Sequence, residues 1–135
     1  MNQKILIVDD DKFLIRLYAD KLRREGFEVL MAITGAEGLE RVIAQQPDLV
    51  ILDVILPQKN GFDVLSEMKL NPKTRGIPVI ILTNLSQESD IKTGRSLGAV
   101  EYLIKTEFPI ARLGEVVRKW LAVKNVEKTA DGNIA

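Results

Sequence analysis

The sequence contains neither cysteine nor histidine among its 135 residues. Without cysteine there are no disulfides, no thiolate nucleophile and no thiolate ligand for a metal. Without histidine there is no Ser-His-Asp triad, no histidine-ligated zinc and no phosphohistidine carrier. Whatever chemistry the chain performs must therefore run on its carboxylates.

The chain also lacks an excess of charge and any long hydrophobic run. Nineteen basic residues balance nineteen acidic ones, so we expect no direct binding of nucleic acid. No apolar stretch approaches the roughly 18 residues of a membrane-spanning helix, and no signal peptide is visible. We therefore expect a cytoplasmic protein that makes no membrane contact.

Short apolar runs rich in Ile and Val alternate with segments of helical periodicity. This alternation predicts a parallel sheet covered on both faces by helices, in a single α/β domain. The domain is expected over residues 1–123, followed by a polar, frayed tail at 124–135. The predicted strands are 4–8, 27–32, 49–52, 79–82 and 101–104, and the predicted helices are about 12–25, 35–45, 62–70, 87–97 and 109–123.

Local signals support several of these boundaries. Gly26 is typical of a helix C-cap, and Thr34 with Glu37 has the form of a capping box. The fourth predicted helix contains poor helix formers such as Gly94, so we expect it to be mobile. The last predicted helix carries an apolar stripe that includes Trp120, and packing on the sheet explains this stripe better than a dimer face does.

Polar side chains stand where four of the predicted strands end. Because the carboxyl ends of parallel strands meet at one edge of a sheet, these side chains are expected to share a pocket, the usual ligand position in open α/β sheets. Their joint placement is hard to obtain by chance. The residues are Asp9 and Asp10 after the first strand, Asp53 after the third, Thr83 after the fourth and Lys105 after the fifth.

Taken singly, several of these residues also have a purely structural interpretation. Asp10 or Asp11 suits the N-cap of the first helix, and Thr83 suits an ordinary turn. Taken together, three carboxylates in one pocket repel one another and call for a cation. Since only oxygen ligands are available, Mg²⁺ is the natural occupant, and it completes its octahedron with phosphate oxygens.

These groups are sufficient for phosphoryl transfer, which needs positioning, charge neutralisation and a nucleophile. Asp53 stands alone at the end of the central predicted strand, which makes it the best candidate nucleophile. Thr83 and Lys105 then supply a hydroxyl and an ammonium for the phosphoryl oxygens.

Five motifs resemble those of a known family in order and approximate spacing. They are Ile-Val-Asp-Asp at 7–10, Leu-Asp-Val-Ile-Leu-Pro at 52–57, Asn-Gly at 60–61, Pro-Val-Ile-Ile-Leu-Thr at 78–83 and Leu-Gly-Ala-Val-Glu-Tyr-Leu-Ile-Lys at 97–105. On these motifs the chain resembles the receiver domain of two-component response regulators. The resemblance implies a doubly wound, flavodoxin-like (βα)5 fold with the strand order 2-1-3-4-5.

The resemblance also implies roles for the acidic residues. Asp53 would be the phosphoacceptor in a Mg²⁺-dependent reaction. Asp10 and Asp53 would be direct ligands of Mg²⁺, and Asp9 would be a ligand through water. The backbone carbonyl of Ile55 would be a further ligand.

The resemblance further implies a switch and partners. Thr83 and Lys105 would bind the phosphoryl oxygens, and Tyr102 would move inward when Thr83 shifts, unless it is an ordinary strand residue. Phosphorylation would then change the face formed by helix 4, strand 5 and helix 5. The chain would be a signalling phosphoacceptor and not a turnover enzyme. Its donor would be a histidine kinase or a phosphotransfer protein docking beside the first helix, and its target a protein output partner or a second copy of the chain.

Three positions depart from the family pattern. Lys105 is usually followed by proline in a cis peptide, whereas Thr106 follows here. A cis bond without proline costs about 2.5 to 4 kcal/mol, so this loop is either trans or strained. Ile55 replaces a residue that is often polar, and Asn84 replaces one that is usually small. Both positions lie where a hydrolytic water would approach, which predicts slow loss of the phosphoryl group.

Other interpretations remain open from the sequence. A single-domain regulator acting through protein contacts is preferred, and a receiver module of a larger hybrid kinase or transcription factor is the alternative. A Mg²⁺-dependent phosphatase with an aspartyl intermediate would need a second acid where this chain has Ile55. A flavodoxin would need a Ser/Thr-rich phosphate loop after the first strand, where this chain has acids.

Overall fold

The computed structural model describes residues 2–134, and it describes side chains as far as Asn125. Strands and helices alternate along the chain. The elements are β1 (Lys4–Val8), α1 (Lys12–Arg24), β2 (Glu28–Ala32), α2 (Gly35–Gln45), β3 (Leu49–Leu52), α3 (Gly61–Leu70), β4 (Val79–Thr83), α4 (Glu88–Ser96), β5 (Glu101–Ile104), a 3-10 turn (Ile110–Arg112) and α5 (Leu113–Ile134).

The five strands form one parallel sheet in the order β2-β1-β3-β4-β5, which confirms the predicted fold. The pairing register aligns the carboxyl ends of the central strands. Val8 lies opposite Leu52, and Leu52 lies opposite Ile81. The residues that follow β1 and β3 therefore emerge side by side at the same edge of the sheet, as the strand-end pattern predicts.

Alternate residues of each strand pack into two hydrophobic cores, because successive side chains of a strand point to opposite faces. Ile5 and Ile7 of β1 pack on the face covered by α1 and α5. Leu6 and Val8 pack on the other face, beneath α2 and α3. The apolar stripe of α5 lies in the first core with Trp120 packed against it, which confirms that the stripe serves packing on the sheet.

The helix boundaries agree with the predicted ones to within one or two residues at most ends. Gly26 follows α1 with a φ of +97°, the left-handed conformation expected of a C-cap glycine. Thr34 caps α2 by accepting a hydrogen bond from the backbone N–H of Glu37 at 3.0 Å. Asp11, and not Asp10, caps α1, since its Oδ1 accepts hydrogen bonds from the next helical N–H groups.

The largest difference from the prediction is the length of α5. The helix continues to Ile134 and does not end near Val123, because this stretch has no proline and contains the good helix formers Lys, Glu and Ala. Lys124 ties the extension to the domain by donating a hydrogen bond to the carbonyl of Asp48 at 3.2 Å. The side chains of residues 126–134, where the frayed tail is predicted, lie outside the described residues.

Two further observations bear on the predictions. The fourth helix is present as α4, and its N-cap residue Gln87 makes no side-chain capping hydrogen bond. The mobility of α4 stays a prediction. Within the described part of the chain, no helix is both long enough and apolar enough to cross a membrane.

Candidate functional site

Lys105 is the centre of a buried polar cluster at the carboxyl edge of the sheet. Its Nζ lies 2.7 Å from Oδ2 of Asp9 and 2.7 Å from Oδ2 of Asp53. The exposed fractions of the three side chains are only 9%, 2% and 5% for Lys105, Asp9 and Asp53. A single ammonium group thus bridges two carboxylates delivered by different strands.

The remaining oxygens of the two carboxylates accept backbone hydrogen bonds. Oδ1 of Asp9 accepts from the N–H of Asp11 at 2.9 Å, and Oδ1 of Asp53 accepts from the N–H of Ile55 at 3.2 Å. These bonds orient both carboxylates within the pocket. Each carboxylate is therefore held by an N–H of the loop that follows its own strand, in addition to the shared lysine.

Burial and ion pairing act in opposite directions on the cluster. Burial raises the pKa of Asp9 and outweighs the lowering effect of Lys105 and of the Asp11 N–H. Burial by itself would lower the pKa of Lys105, but its hydrogen bonds to Asp53 and Asp9 raise that pKa well above its usual range. Lys105 is therefore firmly charged.

Asp10 completes an acidic group that is suited to a metal ion. One carboxylate oxygen from each of Asp9, Asp10 and Asp53 lies within 4.8 Å of the others. Asp9 and Asp53 are buried, whereas Asp10 is exposed to solvent. Three carboxylates face one ammonium, so the cluster keeps an excess of negative charge that a hard divalent cation such as Mg²⁺ would neutralise. The donor set fits the predicted metal.

Thr83 and Tyr102 meet at the next loop along the edge. Thr83 is the last residue of β4 and is fully buried, and its Oγ1 accepts a 3.4 Å hydrogen bond from the N–H of Leu85. The hydroxyl of Tyr102 donates a 2.7 Å hydrogen bond to the carbonyl of Leu85. Burial, with smaller contributions from Asp90 and Asp53, raises the pKa of Tyr102 to about 12. Tyr102 thus points inward here, and Leu85 links it to Thr83.

The loop after Asp53 contains a close approach that the sequence did not predict. A Cβ atom on Gly61 would lie 2.2 Å from the carbonyl oxygen of Asp53, so only glycine fits there. The N–H of Gly61 also donates to the carbonyl of Val54 at 2.9 Å. The sequence indicated Asn60-Gly61 only as one of the five shared motifs. The available signal was a glycine at the start of the helix that follows Asp53.

The geometry resolves one of the three unusual positions and shows the exposure of the other two. All peptide bonds of the described residues are trans, including the bond between Lys105 and Thr106. The side chain of Ile55 is 56% exposed, and Asn84 is also exposed, so both face solvent beside the cluster. The effect of these two side chains on hydrolysis stays a prediction.

Comparison with known proteins identifies the family. The model of the response regulator receiver domain matches residues 5–118. The chain is 34% identical over 122 residues to the alkaline phosphatase synthesis transcriptional regulatory protein PhoP of Bacillus subtilis, covering 88% of this chain and 50% of that protein. It is 34% identical over 125 residues to sporulation initiation phosphotransferase F of the same species, covering 93% of this chain and 98% of that protein.

A solved structure with a metal at the corresponding kind of site is also similar. It is the receiver domain of a sensor histidine kinase from Pseudomonas aeruginosa PAO1, which has a magnesium ion coordinated in its active site cleft. The two structures share 25% sequence identity with a TM-score of 0.82, and the match covers 90% of this chain and 99% of that one. The chain spans about half the length of the transcriptional regulators that it matches. On the family match, the fold and the shared motifs, this chain belongs to the receiver domains of two-component response regulators.

Proposed function

We propose that Asp53 accepts a phosphoryl group from a phosphorylated histidine kinase or phosphotransfer protein. The observation that supports this role most directly is the placement of Asp53, whose carboxylate is ion-paired with Lys105 at 2.7 Å beside two further acids. A carboxylate oxygen of Asp53 attacks phosphorus, an O–P bond forms, and the bond from phosphorus to the donor nitrogen breaks. The electron pair of that bond leaves with the donor imidazole.

The residues around Asp53 account for the charge in this transfer. Asp9, Asp10 and Asp53, with the backbone carbonyl of Ile55, are the groups that would hold Mg²⁺. The ion, when bound, neutralises charge on the phosphoryl oxygens. Lys105 is already within reach of Asp53 and remains charged, so it can pair with an equatorial oxygen without reorganising.

The backbone of Leu85 would transmit the effect of phosphorylation from Thr83 to Tyr102. Thr83 would donate its hydroxyl hydrogen to a phosphoryl oxygen, and the movement of Oγ1 toward that oxygen would draw it away from the Leu85 N–H, whose 3.4 Å hydrogen bond is long and weak. The carbonyl of the same residue holds Tyr102 at 2.7 Å. A shift of Thr83 thus acts on the backbone that positions Tyr102 and the start of α4. This supports a change at the α4, β5 and α5 face on phosphorylation.

The exposed face of α1 suits the docking of the phosphoryl donor. Phe13 is 75% exposed and Leu17 is 44% exposed, and both lie in the first two turns of α1, which follows the acidic loop. Together with Lys12, Arg16 and Asp20 they line a shallow cavity of about 530 Å³. An exposed apolar patch with a charged rim is typical of a protein interaction site.

Mass spectrometry of the intact protein tests the proposal. Incubation with acetyl phosphate and Mg²⁺ is expected to add one phosphoryl group, and chelation of the metal is expected to prevent it. Asp53→Asn should abolish the addition. Asp63→Asn, which changes an exposed acid in the first turn of α3, is the control and should leave it intact. Phosphorylation of the Asp53→Asn protein at the normal level would refute the assignment.

A further inference from the structure

A second cavity lies at the opposite, amino edge of the sheet and has a different chemical character. Its volume is about 230 Å³, and it is bounded by the turn before β4, the start of β5 and the outer part of α5. Among its lining residues in the described part of the chain none is acidic, and three are cationic: Lys69, Arg75 and Lys124. The whole chain is neutral, so this concentration of positive charge is local.

Lys69 is the most informative of the three cations. Its Nζ donates a 3.1 Å hydrogen bond to the carbonyl of Arg75, and its aliphatic stem lies against the backbone of Gly98. In the described part of the chain neither Lys69 nor Arg75 has a carboxylate partner. Burial accordingly lowers the pKa of Lys69, with no opposing effect from an acid. A half-buried ammonium without a counter-ion favours an anion.

Trp120 supplies part of the wall of the cavity. The residue lines the same cavity, and its indole Nε1 is buried without a hydrogen-bond partner in the described structure. Buried indole N–H groups normally have an acceptor, and an unmatched one is costly. Val100 and Val123 contribute apolar surface beside the ring. The cavity thus combines two cations, Lys69 and Arg75, that have no carboxylate partner among the described residues with an apolar wall.

We propose that this cavity binds a small organic carboxylate with an apolar body. The carboxylate would accept hydrogen bonds from Lys69 and Arg75, and the body would lie against Val100, Val123 and the Trp120 ring. An inorganic anion would leave the apolar wall without a partner. A neutral ligand would leave the ammonium without a counter-charge. The proposal does not depend on phosphorylation of Asp53, which lies at the other edge of the sheet.

The single tryptophan of the chain provides the measurement, because Trp120 is a wall of the cavity. Titration with cyclohexanecarboxylate in Mg²⁺-free buffer is expected to change its emission saturably, with calorimetry as the second measurement. Cyclohexanecarboxamide and inorganic phosphate are expected to bind at least about tenfold more weakly, the factor that one charge-assisted hydrogen bond typically supplies. Equal binding of either probe would overturn the proposal, as would the lack of a saturable signal in both measurements.

Substitutions of the two proposed donors test whether the carboxylate binds in this cavity. Lys69→Met and Arg75→Gln should each weaken cyclohexanecarboxylate binding about tenfold or more, since each removes a positive charge but retains an uncharged side chain of similar length. Lys92→Met, an exposed change on α4, should leave the affinity unchanged. Asp53→Asn should also leave it unchanged, which separates this site from the acidic pocket. Circular dichroism confirms that each variant is folded. Unaltered affinity in both Lys69→Met and Arg75→Gln would refute the assignment.

Discussion

Each of the two edges of the sheet has a lysine ammonium group, but the two groups have different hydrogen-bond partners. At the carboxyl edge Lys105 lies 2.7 Å from two carboxylates, and its pKa is raised. At the amino edge Lys69 has a backbone carbonyl as its partner, and burial lowers its pKa. Both side chains are lysines on a chain with a formal net charge of zero.

The difference shows that the direction of a pKa shift follows from the partners that the fold supplies. Burial acts on both lysines in the same direction, against the charged form. At Lys105 the two ion pairs outweigh burial, whereas at Lys69 no carboxylate opposes it. The carboxyl edge with Asp9, Asp10 and Asp53, the acidic edge, therefore carries an excess of negative charge. The amino edge with Lys69 and Arg75, the basic edge, carries an excess of positive charge. For this reason we assign a cation site to the acidic edge and a carboxylate site to the basic edge.

The largest expected effect comes from removing the cation of the acidic edge. Lys105→Met leaves Asp9 and Asp53 buried without their partner, and this should lower the free energy of unfolding by about 3 kcal/mol. Because Mg²⁺ would replace the lost charge, it should stabilise the variant more than it stabilises the wild type. Urea denaturation with and without Mg²⁺ measures both effects. Lys92→Met is the control and should change little, and an equal response of variant and wild type to Mg²⁺ would contradict the prediction.

The next effect concerns the rim of the acidic pocket. Ile55→Asn and Asn84→Ala are expected to speed loss of the phosphoryl group about tenfold each, since they open or polarise the path of a water toward Asp53. The intact mass followed over time after removal of acetyl phosphate gives the rate. Ile33→Asn alters an exposed isoleucine that precedes α2 and should not change it. Unchanged rates in both rim variants would rule out this role for Ile55 and Asn84.

A smaller effect tests how far the polar network of the acidic edge extends. Tyr102→Phe removes the donor to the Leu85 carbonyl and should cost about 1 kcal/mol of stability. Hydrogen exchange across residues 85–97 should become faster, because the start of α4 loses an anchor. Tyr18→Phe is the control, since Tyr18 is also a buried tyrosine but is not the donor to the Leu85 carbonyl. Equal effects of the two substitutions would show that the hydrogen bond to Leu85 does not specifically stabilise the start of α4.

The smallest effect concerns the basic edge and depends on pH. The pKa of Lys69 is lower in the folded protein than its usual 10.5, so the unfolded chain binds more protons between these two values. Stability should therefore rise with pH across that window and level off above 10.5. Lys69→Met should flatten the rise in urea midpoints, whereas Lys73→Met, an exposed neighbour, should not. The pKa shift of Lys105 has the opposite effect on stability. Its stabilising contribution is complete below pH 10.5 and is lost only as pH rises through its folded pKa. An unchanged slope in Lys69→Met would contradict the assignment.

Most of the fold was predictable because its causes are local in the sequence. The uninterrupted apolar runs of β3 and β4 indicate strands buried on both faces, and both are fully buried. Capping residues such as Thr34 and Gly26 set helix ends through hydrogen bonds and backbone conformation within a few residues. The end of α5 was placed too early, because polar composition was taken to indicate fraying although the stretch contains no proline.

The candidate site was predictable only to the level of which residues share an edge. Strand register follows from the apolar pattern, and it places Asp9, Asp53 and Lys105 together. The pattern did not indicate that one ammonium would bridge both carboxylates, or which of Asp10 and Asp11 would cap α1. Those details depend on side-chain conformations and on distances between elements far apart in sequence.

By itself, then, the sequence determined the sheet, its strand order through the family resemblance, and the group of acids at its carboxyl edge. Periodicity and composition encode burial, and burial selects the elements and the edge where polar residues emerge. Only the tertiary structure decided the partners: Leu85 between Thr83 and Tyr102, the close approach of Gly61 to Asp53, and the cations around Trp120. Each of these arises from packing between segments that no local pattern connects.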